Sequence, residues 1–245
     1  MGVGTAGNET AGHRVSDRPL LVADLGRRPY GEVLERQRRL CRARQEGVIT
    51  EDLLLLVEHE PVVTLGRGTK ETSLPISPEA LRSRGVEVFE VERGGDVTYH
   101  GPGQLVGYPI FDLKHHREDL HWYLRTVEQA LIDALGTLGI PAERRAGLTG
   151  VWTRGRKIAS IGIHVKQWVT FHGFALNVST DLDYFDLIVP CGIAGVTMTS
   201  VEREVASTPA PPIRPAIIEA FGRAFDRVPR PALAEECDVA AHAGA

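Results

Sequence analysis

The chain has little cysteine, no long hydrophobic run and no marked excess of charge of either sign. Its three cysteines are Cys41, Cys191 and Cys237, and no CxxC pair occurs. This spacing excludes a dense disulfide framework and a structural zinc site of the usual kind. The net charge of −4 argues against nucleic acid as the main partner. No stretch approaches the roughly 18 consecutive apolar residues of a membrane-spanning helix, so no membrane association is predicted.

The length and composition favour a single globular domain. At 245 residues, with 42% hydrophobic and 24% charged residues, the chain fits one large domain. The stretch from Met1 to Arg18 lacks the apolar core of a signal peptide, so the cytoplasm is the expected location. Residues 1–17 and 229–245 are rich in small and charged residues and are predicted to be flexible tails. The folded domain is therefore predicted to span residues 18–228.

Helical and strand-like segments follow one another irregularly between these tails. Apolar residues recur at helical spacing over 31–45, 120–138 and 216–225, which predicts three helices. Strands are predicted at 53–58, 62–65, 86–91, 105–112, 150–153, 157–165 and 169–177. Regular strand–helix–strand repetition is missing. We therefore expect an α+β fold in one domain, with a mixed, largely antiparallel sheet flanked by helices.

The segment 93–104, RGGDVTYHGPGQ, follows one of these strands and is the most informative part of the chain. Its four glycines and one proline make it poor material for a core. Dense glycine lets the backbone approach a ligand closely and adopt positive φ, at an entropic cost. The segment is therefore predicted to belong to a site. His100 within it could orient a substrate or cap a turn, and the sequence does not choose between these roles.

Cys191 and Lys157 are candidates for a nucleophile and its activator. Cys191 lies in a loop bounded by proline and glycine, whereas Cys41 lies on the apolar face of a predicted helix and Cys237 in a predicted tail. Loops held by a scaffold carry function more often than core positions do. A nearby ammonium group lowers a thiol pKa from about 8.5 toward 7, and the neutral amine can accept a proton. Taken alone, Lys157 would be interpreted as a solvated residue at the start of a hairpin.

Metal and nucleotide sites have no support from motifs. His115, His116 and His121 precede a helix without carboxylates at metal-ligand spacing, so they are predicted to face solvent and no metal is expected. The segment 66–70, GRGTK, departs from the phosphate-loop pattern. No GxGxxG motif follows a strand, so no nucleotide cofactor is expected either.

Four segments together resemble the octanoyltransferases of lipoic acid biosynthesis. They are RGGDVTYHGPGQ (93–104), GRKIASIG (155–162), GFALN (173–177) and PCG (190–192). The resemblance runs in order from about Val33 to Phe225, and the tails and the segment 206–212 look peculiar to this chain. It implies the catalytic fold shared by biotin and lipoate protein ligases, with residues 18–228 as the octanoyltransferase catalytic domain.

The resemblance also implies roles for individual residues. Cys191 would be the acyl-thioester nucleophile, and Lys157 would lower its pKa and accept a proton. The implied acyl pocket is lined by Arg93, Gly94, Gly95, Asp96, Val97, Thr98, Tyr99, His100, Ser160, Ile161, Gly162, Gly173, Phe174 and Ala175. Val97, Ile161 and Phe174 would supply apolar walls for the octanoyl chain, each of whose methylenes gains about 0.8 kcal/mol on burial.

The implied reaction is a two-step transfer without ATP or any other cofactor. Octanoyl-acyl carrier protein would donate its acyl group to Cys191, and a lysine of a lipoyl domain would take it as an amide. The implied acceptors are lipoyl domains of 2-oxoacid dehydrogenases and the glycine cleavage H protein. Both partners are typically acidic, so the basic residues before Lys157 could assist their encounter or simply be solvated. These are Arg144, Arg145, Arg154 and Arg156.

Three other interpretations compete with the transferase. An ATP-dependent lipoate or biotin protein ligase would share the fold but would hold an acyl-adenylate and need no cysteine at position 191. A non-catalytic module that docks acyl carrier protein would need neither Cys191 nor Lys157. A thiol hydrolase would release free octanoate instead of acylated protein. The segments around both residues favour the transferase, and a monomer is expected because no long heptad repeat occurs.

Overall fold

The computed structural model of the protein describes residues 18–192, 195–205 and 212–237. Its strands are β1 (Pro19–Arg28), β2 (Asp52–His59), β3 (Val62–Leu65), β4 (Glu87–Glu90), β5 (Thr98–His100), β6 (Gln104–Ile110), β7 (Val151–Thr153), β8 (Arg156–Lys166), β9 (Val169–Asn177) and β10 (Val228–Pro231). Its α-helices are α1 (Tyr30–Gln45), α2 (Pro78–Arg82), α3 (Leu120–Gly136), α4 (Val201–Glu204), α5 (Arg214–Ala224) and α6 (Ala234–Cys237). Short 3₁₀ turns cover Glu71–Ser73, Leu113–His115, Leu182–Leu187 and Pro190–Gly192.

Two sheets organise these elements. The larger has seven strands in the order β10-β1-β2-β6-β9-β8-β7, and the smaller has three in the order β4-β3-β5. The pairs β1–β2, β1–β10 and β3–β4 are parallel, whereas the other pairs are antiparallel. This mixed, largely antiparallel arrangement with flanking helices confirms the predicted α+β class.

Helices cover both faces of the larger sheet because each long helix carries an apolar stripe. On one face, Val127 and Leu131 of α3 share a buried cluster with Leu176 of β9 and with apolar residues of α5. On the other face, Leu40 of α1 is buried with Val106 of β6. Burial of each such side chain stabilises the fold by roughly 1.5–3 kcal/mol. None of the helices in the described ranges is long and apolar enough to cross a membrane.

A tight hairpin between β7 and β8 places Lys157 near the start of β8. Arg154 and Gly155 have φ values of 46° and 82°, as the two central residues of a type I′ turn require. The sequence predicts this turn and both strands to within one residue of their observed ends. Local turn chemistry therefore suffices to locate this part of the fold.

The C-terminal end of the folded part differs from the prediction. β10 pairs in parallel with β1, and α6 follows it, so ordered structure continues beyond residue 228 to residue 237. Pro229 and Pro231 give β10 no strand-like alternation, and prolines are tolerated there because the strand lies at the edge of the sheet. The N-terminal tail predicted for 1–17 lies outside the described residues, as does 238–245.

Two further expectations about side chains are also corrected. Cys237, predicted to lie in a tail, is buried in α6, while Cys41 is buried on α1 as its pattern indicates. The His116 side chain, predicted to face solvent, is 4% exposed and its Nε2 lies 2.7 Å from the Asp52 carboxylate. A long-range hydrogen bond to Asp52 therefore holds this histidine inside, and its two neighbours in the predicted polar cluster are exposed.

Candidate active site

A cavity of about 270 Å³ lies between the two sheets. Strands β6, β8 and β9 form its floor, and β5 with the segment before it forms its roof. The predicted site residues that line it are Arg93, Gly95, Asp96, Val97, Thr98, His100, Lys157, Ser160, Ile161, Gly162, Gly173, Phe174 and Ala175. The structure thus brings together segments that are far apart in the sequence.

Two predicted pocket residues, Gly94 and Tyr99, do not line this cavity. The Gly94 N–H donates to the Ile163 carbonyl at 2.8 Å, which joins the glycine-rich segment to β8. The Tyr99 ring instead stacks on Tyr184, with ring centres 4.6 Å apart. Successive side chains of a strand point to opposite faces, so Tyr99 leaves the cavity that its two neighbours in β5 line.

Arg93 holds the glycine-rich segment over the floor of the cavity. Its Nη2 donates to the carbonyl and hydroxyl oxygens of Thr64, at 2.7 and 2.9 Å. Its Nη1 donates to the Gly94 carbonyl at 3.1 Å. Below it, Gly162 has no side chain, and a Cβ there would lie 3.0 Å from Arg93 Cδ. Glycine at this position therefore permits the close approach of roof and floor.

Lys157 lines the cavity and is 1% exposed. Its Nζ lies 5.0 Å from the centre of the Trp152 ring, within the range of a cation–π contact. Gly150 leaves room for the lysine side chain, because a Cβ there would lie 2.8 Å from Lys157 Cε. The structure therefore places an amine at the cavity wall in a site shielded from bulk water.

Cys191 lies in the 3₁₀ turn Pro190–Gly192, and its side chain lies outside what the structure describes. The chain beyond this turn returns to the strand of Lys157. Thr197 accepts the Lys157 N–H, and Thr199 donates to the Lys157 carbonyl, both at 2.9 Å. The backbone thus brings the two candidate segments side by side, and the contact between the thiol and the amine stays a prediction.

Comparison with known proteins identifies the family. Residues 29–222 match the model of the lipoyl protein ligase A/B catalytic domain. The chain belongs to this family. The octanoyltransferase of Gloeobacter violaceus is 46% identical over 217 residues, covering 89% of this chain and 95% of that one. The octanoyltransferase of Koribacter versatilis is 50% identical over 210 residues, covering 83% of each chain.

A solved structure supports the same fold. A lipoate-protein ligase A bound with ATP matches this chain with a TM-score of 0.69, covering 91% of both chains. Its sequence identity is 17%, so it is evidence for the fold alone. The predicted resemblance is confirmed, and with octanoyltransferases as relatives this member of the family is an acyltransferase.

The cavity of this acyltransferase has lining residues that the sequence analysis missed. They are Tyr30, Val106, Tyr108, Gly147, Leu148, Thr149 and His172. Tyr30 opens α1, and Tyr108 lies in a strand buried along its whole length, so the apolar pattern of each indicates a core position. The remaining residues form the segment 147–149. Its glycine, which has a φ of 75°, is the one feature of the sequence there that could have indicated a special loop.

His100, in the cavity lining, and His59 beside it are neutral at neutral pH. Burial lowers the pKa of His100 to about 3 and that of His59 to about 4. The His100 Nδ1 donates to Gln104 Oε1 at 2.8 Å, an assignment required because Gln104 Nε2 donates to Asn177. His59 Nε2 lies 2.7 Å from the hydroxyl of Tyr108, whose pKa is raised by burial. An apolar group can therefore approach His100 without desolvating a charge on this imidazole.

The charged side chains beside the site are engaged within the chain. Arg154 Nη1 and Arg156 Nη2 each lie 2.8 Å from the buried carboxylate of Glu204. Arg144 Nε lies 3.1 Å from Glu128. The positive charge of the arginines before Lys157 is therefore partly neutralised. Some of it remains, because Arg154 and Arg156 share the single carboxylate of Glu204. In the part of the chain that the structure describes, no group of three or more His, Cys, Asp or Glu side chains is placed to hold a metal ion.

Proposed function

We propose that this acyltransferase carries an octanoyl group from octanoyl-acyl carrier protein to a lysine of a lipoyl domain, through a thioester on Cys191. It transfers octanoyl groups in lipoate biosynthesis, as octanoyltransferases 46% and 50% identical over most of the chain indicate. The observation that supports the route through Cys191 is the burial of Lys157 in the cavity wall, with the segment after Cys191 paired to its backbone.

In the first step, the thiolate of Cys191 attacks the carbonyl carbon of the octanoyl thioester. A bond forms between Sγ and the acyl carbon, and the bond from that carbon to the phosphopantetheine sulfur breaks. The departing sulfur takes a proton from the Lys157 ammonium group, so the carrier protein leaves as a free thiol and Lys157 is left neutral. The ammonium group of Lys157 favours the thiolate form of Cys191. One thioester replaces another of similar energy, so the step requires no ATP.

In the second step, the amine of the acceptor lysine attacks the octanoyl thioester on Cys191. A C–N bond forms, the C–Sγ bond breaks, and the thiol is regenerated. Neutral Lys157 takes the proton of the attacking amine and returns it to the departing sulfur. Backbone N–H groups near the glycine-rich segment stabilise the oxyanion. The amide is more stable than the thioester, so the second step drives the overall transfer.

The shape of the cavity suits a narrow apolar chain. Its floor carries the short side chains of Ser160 and Ala175, which leave space above β8 and β9. Val97 and Ile161 supply apolar contacts at about 0.8 kcal/mol per buried methylene. These contacts favour an unbranched acyl group of medium length over a polar or bulky one.

The acceptors in this proposal are lipoyl domains of 2-oxoacid dehydrogenases and the glycine cleavage H protein. Two arginines share the single carboxylate of Glu204, which leaves local positive charge beside the hairpin that precedes Lys157. Such charge raises the encounter rate with acidic protein partners and weakens with salt. The enzyme acts as a monomer in the cytoplasm, where acyl carrier protein and its acceptors meet.

Intact-protein mass spectrometry after mixing with octanoyl-acyl carrier protein, in the absence of ATP, tests this proposal. The wild type is expected to gain a hydroxylamine-labile octanoyl adduct that Cys191→Ser does not form. Addition of a lipoyl domain should then discharge the adduct to the domain. Acylation that appears only with ATP and free octanoate would instead assign the protein as a ligase, and release of free octanoate would assign it as a hydrolase.

A further inference from the structure

Asp96 places a carboxylate in the roof of the acyl pocket, where it is 9% exposed. Its Oδ1 accepts the Val97 N–H and its Oδ2 accepts the hydroxyl of Ser73, both at 2.7 Å. Ser73 is 2% exposed and lies in the 3₁₀ turn Glu71–Ser73. An apolar acyl chain gains nothing from a buried carboxylate, so this pair of residues requires another explanation.

The Ser73–Asp96 pair contacts the turn that carries Cys191. The Ser73 carbonyl accepts the Val189 N–H, and the Val189 carbonyl accepts the Gly192 N–H, both at 2.9 Å. Gly192 has a φ of 66°, and a Cβ at this position would overlap Asp96 Oδ2. Ser73 thus binds the start of the turn through its main chain, while its hydroxyl orients the carboxylate that abuts the end of the turn.

We propose that Ser73 and Asp96 are positioning residues for Cys191, a role that rests on the proposed function. The Ser73 hydroxyl holds Asp96 Oδ2 against Gly192, and this contact sets the position of the turn relative to the cavity. The carboxylate also places a negative charge beside the turn, which opposes formation of the thiolate. The two effects act in opposite directions on reactivity, and variants of the two residues separate them.

Asp96→Asn keeps the shape of the side chain and removes its charge. We expect the pH midpoint of Cys191 alkylation by iodoacetamide, followed on the Cys191 peptide by mass spectrometry, to fall. Acylation by octanoyl-acyl carrier protein is expected to slow about tenfold to a hundredfold, because asparagine has a single acceptor oxygen and cannot accept from both the Val97 N–H and the Ser73 hydroxyl, which displaces the turn. A more available thiolate combined with slower acylation is a signature that a general loss of structure does not produce.

Ser73→Ala provides a second variant, which also serves if Asp96→Asn fails to fold. It should slow acylation to a similar extent and move the alkylation midpoint, and Ser73→Thr, which keeps the hydroxyl, should restore both. Ser83→Ala is the matched control, because its hydroxyl donates to the Ala80 carbonyl at 2.9 Å, away from the site. Unchanged midpoints in Asp96→Asn and Ser73→Ala, or equal losses in Ser73→Ala and Ser83→Ala, would overturn the proposal.

The alkylation assay requires no acyl donor, so it separates this proposal from the proposed function. If the wild type formed no octanoyl thioester while the midpoints still moved in both variants, the octanoyl route would fail and the positioning role would stand. If the thioester formed normally in both variants with the wild-type rate and midpoint, the positioning role would fail and the octanoyl route would stand.

Discussion

Lys157 is a lysine in an almost fully buried position of β8. A buried ammonium group costs free energy relative to an apolar side chain of similar size. A position shaped for stability alone would favour methionine or leucine. The proposed role of Lys157 beside Cys191 would account for a lysine at this position, and its replacement separates stability from activity.

We predict that Lys157→Met, which keeps the length of the side chain, leaves the free energy of unfolding unchanged or raises it. Formation of the octanoyl thioester should slow by about a hundredfold or more, because in the proposed mechanism the ammonium group of Lys157 stabilises the thiolate. Urea denaturation and single-turnover acylation measure the two quantities. Lys166→Met, at the exposed end of the same strand, is the control and should behave as wild type. Full acylation by Lys157→Met would contradict the prediction.

His59 and His100 are neutral because burial lowers their pKa values to about 4 and about 3. The unfolded chain, with an ordinary histidine pKa of about 6.5, binds more protons than the native state below that pH. Stability should therefore fall as pH drops from about 6.5 toward about 4, by about 2 kcal/mol per histidine between pH 7 and pH 5.

Urea denaturation of His59→Gln over this pH range tests the dependence. The slope of unfolding free energy against pH should become shallower by about one proton, because one titrating group is removed. His121→Gln provides the control, since this histidine is exposed. An unchanged slope in His59→Gln would show that His59 does not contribute to the acid sensitivity.

At the scale of elements, the glycine-rich segment is held by its neighbours rather than by its own sequence. Arg93 ties it to β3 through Thr64, and the Gly94 N–H ties it to β8. Strand propensity and turn chemistry locate β3, β8 and β9 from the sequence to within one residue at each end. They do not indicate which side chains of the segment face the cavity, because that depends on the register of β5 against β3.

Arg93→Lys tests how far this attachment shapes the pocket. Lysine cannot reproduce the fork of bonds from one guanidinium to both oxygens of Thr64. We expect the free energy of unfolding to fall by about 1–3 kcal/mol. The KM for octanoyl-acyl carrier protein should rise more than kcat falls. Arg67→Lys, at an exposed position of the adjoining loop, is the control, and an equal effect in both variants would argue against a specific role.

At the scale of the whole molecule, Asp52 connects segments that are distant in the chain. Its Oδ1 lies 3.2 Å from Arg44 Nη2 at the end of α1, and its Oδ2 lies 2.9 Å from Arg227 Nε ahead of β10. His116 Nε2, in the segment after β6, lies 2.7 Å from Oδ2. Burial by itself would raise the pKa of Asp52, but the hydrogen bond and charge of His116, with Arg227 and Arg44, hold it below its ordinary value.

We predict that Asp52→Asn destabilises the protein by about 3–5 kcal/mol, because it leaves buried cations without their carboxylate. The kcat of the folded fraction should be unchanged, since Asp52 does not line the catalytic cavity. The stabilisation by Asp52 is fully present above about pH 3.9, the pKa of an aspartate in the unfolded chain, and is lost as the pH falls through the lower pKa of Asp52 in the native state. The variant should therefore lose this part of the dependence of the unfolding free energy on pH. Asp133→Asn, on the exposed face of α3, is the control, and an equal loss in both variants would contradict the prediction.

The resemblance to octanoyltransferases indicated the segments that meet at the cavity, and local patterns in the sequence determined the α+β class, the three long helices and the β7–β8 hairpin. These features follow from side-chain periodicity and turn chemistry, which act between residues a few positions apart. The tertiary structure alone decided that β10 forms an edge of the larger sheet, that Tyr99 leaves the cavity, and that the His116 side chain is buried. Each of these depends on contacts between distant parts of the chain, where burial and long-range ion pairing outweigh local preference.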